Sequence, residues 1–200
     1  MSRPSIWTAA NIVTCVRVAL IPAWLVLAEL TPTPDGLTLS WWQLLVAATF
    51  GLLALTDKLD GYLARSRGEV TTFGKFLDPI ADKLVVVSAL LVLLQWGLVD
   101  VWVIVVIVAR EFLVSGLRMV VATSGTVIAA SRLGKWKTAT TMGAIAGLLV
   151  VRALPFGPFQ ALLLVVSDIA MLVAVILTAV SGVDYFMKSR DCLFDEEGDR

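Results

Sequence analysis

The sequence predicts an all-α integral membrane protein of six transmembrane helices with both termini on the cytoplasmic side. Three observations carry this expectation. Of the 200 residues, 58% are hydrophobic and 16% are charged, where a soluble domain carries about 25% charged residues. Apolar runs of bilayer length recur along the chain between short polar turns, and the mean hydropathy is +0.90. Lys and Arg gather in alternate connections. A single membrane domain is expected over residues 1–190, followed by a polar cytoplasmic tail at 191–200.

The first span is expected over Ala9–Leu30, after a polar segment at residues 1–8. It does not read as a cleavable signal: one basic residue, Arg3, precedes it and no small-residue cleavage site ends it. Asn11, Thr14 and Arg17 share one broad side of this helix. They suit either interfacial anchoring, with Arg17 snorkelling, or a polar wall facing the acidic stretch described below, and the shared side favours the wall. TPTPDG (31–36) is a turn. The second span covers Trp41–Ala64, the turn Arg65–Thr72 and the third span Phe73–Trp96. GLVD (97–100) leads to a fourth span at Val101–Ala122, in which Glu111, Ser115 and Arg118 form one stripe. A polar loop, Thr123–Lys137, precedes the fifth span at Thr138–Leu154, and PFGP (155–158) precedes the sixth at Phe159–Met187. Trp41, Trp42, Trp96 and Trp102 fit interfacial belts. Asp168, in the sixth span, is expected to pair with Arg152.

Orientation follows from the basic residues. Arg3, Arg65, Arg67, Arg132, Lys135, Lys137, Lys188, Arg190 and Arg200 fall in segments on one side, and the opposite connections hold none, Arg152 lying close to the last. That side is cytoplasmic. With a net charge of zero, no bulk attraction for nucleic acid exists. Histidine is absent, which removes the commonest general base and zinc ligand. Acid–base work falls to carboxylate, Lys or Tyr. The cysteines, Cys15 and Cys192, suggest neither a disulfide framework nor a metal site.

The chemistry concentrates in DKLDGYLARSRGEVTTFGKFLDPIAD, from Asp57 to Asp82. Asp57 and Asp60 are three apart and Asp78 and Asp82 four apart, so each pair projects from one helical face. Two helices meeting in an antiparallel hairpin would aim all four carboxylates at one point. In a soluble protein such pairs are commonly a solvated face. Within a bilayer each aspartate costs roughly 2.5–3.5 kcal/mol, which marks it as functional. Four ionised carboxylates converge only around cations, and hard divalent ions, Mg²⁺ or Mn²⁺, suit oxygen ligands. Gly61 leaves room for a ligand or a close helix contact. Arg65 is placed to hold a phosphate bidentately, and Pro79 is expected near the start of its helix.

This stretch resembles the CDP-alcohol phosphotransferase signature at Asp57, Asp60, Gly61, Ala64, Arg65, Gly74, Asp78 and Asp82, with fixed spacing throughout. The resemblance implies a membrane enzyme that moves a phosphatidyl-type group from a CDP-linked donor to an alcohol and releases CMP. It implies that Asp57, Asp60, Asp78 and Asp82 hold two divalent metal ions and that Asp82 is the general base. It implies a CDP pocket containing Asp57, Gly61, Ala64 and Arg65, to which Thr14 of the polar wall is assigned as a further CDP-binding residue, and it implies a homodimer.

A second cluster holds Arg110, Arg118, Arg132, Lys135 and Lys137. Positive-inside charge accounts for Arg132 and Lys137, but Arg110 falls near mid-span and needs a partner or a wet cavity. A cationic cavity facing the metals suggests a phosphorylated acceptor bound by Arg110, Arg118, Arg132 and Lys135. ANIVTCVRVALIPAW, AREFLVSGLR and IAASRLGKWKT are similar to the phosphatidylglycerophosphate synthase branch of the family. That resemblance implies CDP-diacylglycerol as donor, sn-glycerol 3-phosphate as acceptor and a bacterial-type cytoplasmic membrane. Inositol phosphate or phosphatidylglycerol as acceptor, and more remotely a divalent-cation transporter, are the alternatives.

Overall fold

The computed structural model describes the backbone of residues 8–67, 72–123 and 132–194, and their side chains except at 9–10, 57–67, 72–73, 75–76, 120–123, 132 and 189–194. Among the described residues there are six helices and no strands: α1 Ala9–Leu30, α2 Trp41–Arg67, α3 Thr72–Gln95, α4 Val101–Thr123, α5 Arg132–Ala153 and α6 Pro158–Phe194. Thr8 caps α1, its Oγ1 accepting from the Asn11 amide at 3.3 Å.

Three boundaries differ from the sequence expectation by more than one residue. α2 continues past Ala64 to Arg67, α5 begins at Arg132 rather than Thr138, and α6 runs on past Met187 to Phe194. Charge ends an apolar window but does not end a helix, since Lys, Arg and Leu are good helix formers. Lys135 and Lys137 therefore stand on α5, not in a loop. Pro79 lies well inside α3, where it leaves the Lys75 carbonyl without its helical donor. Among the described residues two stretches are long and apolar enough to cross a membrane, Asn11–Leu30 and Pro158–Lys188, and Trp41–Thr56 is a shorter apolar one. α3 and α4 are interrupted by Asp78, Asp82 and Lys83, and by Arg110, Glu111 and Arg118.

α5 packs along α6, α4 packs against α6, and α1 lies across both α2 and α3. Among the described residues α2 and α3 touch each other at few positions, and α1 bridges them. The apolar core gathers Trp24, Phe50, Leu90, Leu93, Ile107, Ile145, Leu148 and Met171. Every one of these lies in the part of its helix nearer the α1–α2, α3–α4 and α5–α6 connections. The Trp24 indole donates to the Val46 carbonyl at 3.1 Å and its ring meets Phe50 at 5.9 Å.

The connections at that end are tied by backbone bonds. Ser40 N donates to Ala153 O at 2.9 Å and Phe156 N to Gly36 O at 2.7 Å. Gly97 (φ 71°) ends α3 in a left-handed cap, with Gly97 N donating to Leu94 O and Leu98 N to Leu93 O, both at 2.9 Å. The Thr38 and Leu37 amides hold the Asp35 carboxyl below the usual carboxylate range. Trp41, Trp42 and Trp102 are exposed here. Trp96 is instead partly buried, with the Arg152 guanidinium 4.4 Å from its ring centroid. That contact corrects the expected Arg152–Asp168 pair: among the described residues no ion pair joins them, because a ring face is in reach of Arg152.

Gly36 (φ 72°) lies against the Phe156 ring, which occupies the space a Cβ would need, whereas Gly97 faces open space. Gly97→Ala is expected to cost about 1–2 kcal/mol from its dihedral alone. Gly36→Ala should lower the thermal unfolding midpoint in detergent further; equal losses would show that the Phe156 contact contributes nothing.

Candidate active site

The other end of the bundle is polar. Asn11, Thr14 and Arg17 are all buried. Thr14 Oγ1 donates to Asp78 Oδ1 at 3.0 Å, and Arg17 Nε donates to Thr56 Oγ1 at 3.2 Å. Arg17 does not snorkel; it is 1% exposed and reaches the residue before Asp57. The polar side of α1 thus faces the acidic ends of α2 and α3.

On α3, Asp78 is exposed and Asp82 is half-buried, one turn further into the bundle. Asp57, Asp60, Gly61, Ala64 and Arg65 occupy the closing turns of α2, and their side chains lie outside the described residues. The same holds for the side chain of Arg132, which opens α5. Among the described residues no group of three or more His, Cys, Asp or Glu side chains could hold a metal ion. Those that are described, Asp78 and Asp82, are oxygen donors one turn apart, and Thr14 fixes one of them. This donor type fits a hard divalent ion.

A cavity of about 740 Å³ opens between the helices at this end. Its walls include Leu55 of α2, Asp82 of α3, Arg110, Glu111 and Arg118 of α4, Lys135 and Lys137 of α5, and Tyr185 of α6. The structure therefore brings Asp82 into one space with Arg110, Arg118 and Lys135. Lys137 Nζ pairs with Glu111 Oε1, and Arg110 Nη1 lies 3.4 Å from the same oxygen. Lys83 Nζ bonds Ser115 Oγ and sits 5.7 Å from the Phe112 ring. The Arg118 guanidinium lies 5.8 Å from the Tyr185 ring, a spacing that gives cation–π attraction and orients the fork. Four cations face two carboxylates in the described lining, so the cavity favours an anion.

Lys137, Glu111 and Tyr185 belong to this wall although the sequence reading gave them no site role. A signal for Lys137 was present. Lys137, Thr141, Ala144, Ile145 and Leu148 are all buried and recur at helical spacing, which marks Lys137 as inward. Thr178, Ser181 and Tyr185 repeat the pattern on α6.

Residues 7–180 match the CDP-alcohol phosphatidyltransferase family. The chain is 41% identical over 190 residues to a Bacillus subtilis CDP-diacylglycerol–glycerol-3-phosphate 3-phosphatidyltransferase, covering 92% of this chain and 95% of that one. It is 38% identical over 187 residues to a probable phosphatidylglycerophosphate synthase of Mycobacterium tuberculosis, covering 94% and 84%. It is 39% identical over 176 residues to a Rickettsia bellii CDP-diacylglycerol–glycerol-3-phosphate 3-phosphatidyltransferase, covering 88% and 92%. With the Asp57–Asp82 signature inside the matched residues, the chain belongs to the CDP-alcohol phosphatidyltransferase family.

Proposed function

We propose that this chain transfers the phosphatidyl group of CDP-diacylglycerol to sn-glycerol 3-phosphate, giving phosphatidylglycerol phosphate and CMP. The observation that carries the acceptor assignment is the single cavity joining Asp82 to Arg110, Arg118 and Lys135. A carboxylate able to take a hydroxyl proton stands there with cations able to hold a phosphate monoester, which carries about −1.5 to −2 charges at neutral pH. The names of the relatives agree with this acceptor.

The chemistry is a displacement at phosphorus. The terminal hydroxyl oxygen of the acceptor bonds to the phosphorus that carries diacylglycerol. The bond from that phosphorus to the oxygen of CMP breaks, and CMP leaves with the electron pair. Asp82 accepts the hydroxyl proton. Arg118 and Lys135 hold the acceptor phosphate at the cavity mouth, where both are exposed, and Arg110 supplies positive charge deeper in. On this reading Asp57, Gly61, Ala64 and Arg65 of α2, with Thr14 of α1, bind the CDP part of the donor. Asp57, Asp60, Asp78 and Asp82 would hold two divalent ions, Mg²⁺ or Mn²⁺, which neutralise charge on the pyrophosphate when bound.

The same reading places six spans in a bacterial-type cytoplasmic membrane, with the site and both termini at the cytoplasmic face. Positive charge at the ends that bear the cavity supports it, as do the exposed tryptophans at the opposite end.

Purified protein with CDP-diacylglycerol and Mg²⁺ should release CMP with glycerol 3-phosphate, and not with inositol phosphate or phosphatidylglycerol. Chelation should abolish release and Mn²⁺ or Mg²⁺ restore it. Release with another acceptor would discard the branch assignment, and no release with any of them would favour cation transport. Asp82→Asn should lower kcat by about 10²–10⁴-fold with the fold intact; full turnover would remove the general-base role. Arg118→Ala should raise the acceptor KM by about 10–100-fold and leave the donor KM little changed; an unchanged acceptor KM would exclude Arg118 from the phosphate site.

A further inference from the structure

A carboxylate in the wall of an anion-binding cavity opposes the ligand by charge repulsion, yet Glu111 occupies such a place beside Asp82. Packing explains part of this. Glu111 Oε1 receives Lys137 Nζ from α5 and lies 3.4 Å from Arg110 Nη1. Both contacts use Oε1. Among the described residues no donor reaches Oε2. The Glu111 side chain keeps 21% exposure where its Lys137 partner has 8%. Glu111 and Lys137 also line, with Asp82 and Thr138, a smaller recess beside the main cavity. Two cations therefore fix one oxygen of a carboxylate that also lines the cavity, and the other oxygen has no donor among the described residues. A fixed carboxylate oxygen repels phosphate but accepts strongly from a hydroxyl.

We propose that Glu111 is a specificity-determining residue that recognises the non-reacting hydroxyl of the acceptor. The inference rests on the glycerol 3-phosphate reading above. Arg118 and Lys135 hold the phosphate at one end of the three-carbon acceptor. The terminal hydroxyl is directed to Asp82, and the hydroxyl on the middle carbon donates to Glu111 Oε2. Lys137 positions Glu111 and does not itself need to touch the acceptor. An acceptor with the same phosphate and terminal hydroxyl but no middle hydroxyl would leave this carboxylate oxygen desolvated without a donor, the situation in which binding sites discriminate most sharply.

The test compares kcat/KM of the purified full chain for glycerol 3-phosphate and for 3-hydroxypropyl phosphate, which lacks only the middle hydroxyl. Wild type should prefer glycerol 3-phosphate by about 10–100-fold. Glu111→Ala should bring the two acceptors within about threefold of each other, chiefly by losing activity with glycerol 3-phosphate. The ratio is taken within one preparation, so it does not depend on the folded fraction. Should Glu111→Ala not fold, Glu111→Gln keeps the shape, and its ratio should fall between those limits because a neutral acceptor bonds the hydroxyl less strongly. A purely structural role predicts that both acceptors suffer equally; an unchanged ratio in the variant that folds overturns the proposal, as does a wild type that does not discriminate. A wild type that uses neither phosphate acceptor would instead defeat the acceptor assignment on which the proposal rests.

Discussion

A charged side chain midway along an apolar helix has no acceptable outward position, and the polar end of this bundle is arranged around that constraint. α4 carries Arg110 and Glu111 in the middle of an apolar run, with Phe112 and Leu113 exposed beside them. Glu111 meets Lys137 of α5, and Ser115 meets Lys83 of α3. Each contact gives a charged side chain a polar partner from a different helix. The first of these pairs lines the polar cavity. Among the described residues, helices that carry charge along their length thus pack with two stretches apolar enough to cross a membrane.

The consequence is a division along the bundle axis. At one end lies a dry core, cross-tied by backbone bonds between the α1–α2 and α5–α6 connections. At the other end helices are joined through polar contacts: Arg17 with Thr56, Thr14 with Asp78, Lys137 with Glu111. A close-packed apolar end is rigid, and it sets the positions from which the polar ends diverge. The proposed reaction has a donor that resides in the bilayer and an acceptor that arrives from water. A site at one end of a membrane bundle, polar inside and apolar outside, is where two such molecules meet without either being moved far from its preferred solvent.

Much of this was legible in the sequence because charge inside an apolar run is a strong signal. α1 lies where the hydropathy placed it and α4 differs by one residue. Arg110 stood out by its cost in lipid, Arg118 and Lys135 joined it as cations suited to a phosphate, and the three share a cavity. What the sequence did not show depends on partners far apart in the chain. The start of α5 was hidden because a hydropathy window measures exposure to lipid and not helicity. Lys137 therefore read as topology-setting charge, when a carboxylate 26 residues earlier holds it inside. Arg152 was matched with the acid of opposite sign, but a tryptophan face reached from α3 was its neighbour. The part played by α1 was not legible either: among the described residues it lies across both α2 and α3, while the turn between those two helices lies outside them.

Placing Arg110 inward also requires something of α6. A Cβ built at Gly182 would lie 3.1 Å from Arg110 Cγ, closer than nearly all real contacts of that kind. The absence of a side chain at Gly182 thus lets the arginine stem cross between α4 and α6, from an apolar groove of about 530 Å³ on one side to the cavity on the other. The stem is apolar and suits the groove, whereas the guanidinium is not and suits the cavity. A sixth helix that looks generic in sequence is therefore part of what positions the cation: its glycine makes room for the stem, and Tyr185, nearly one turn further on, lies under the second arginine, Arg118. Positive charge in the cavity is thus arranged by residues that carry none, and a reading confined to charged positions could recover the ligand class but not the wall that holds it.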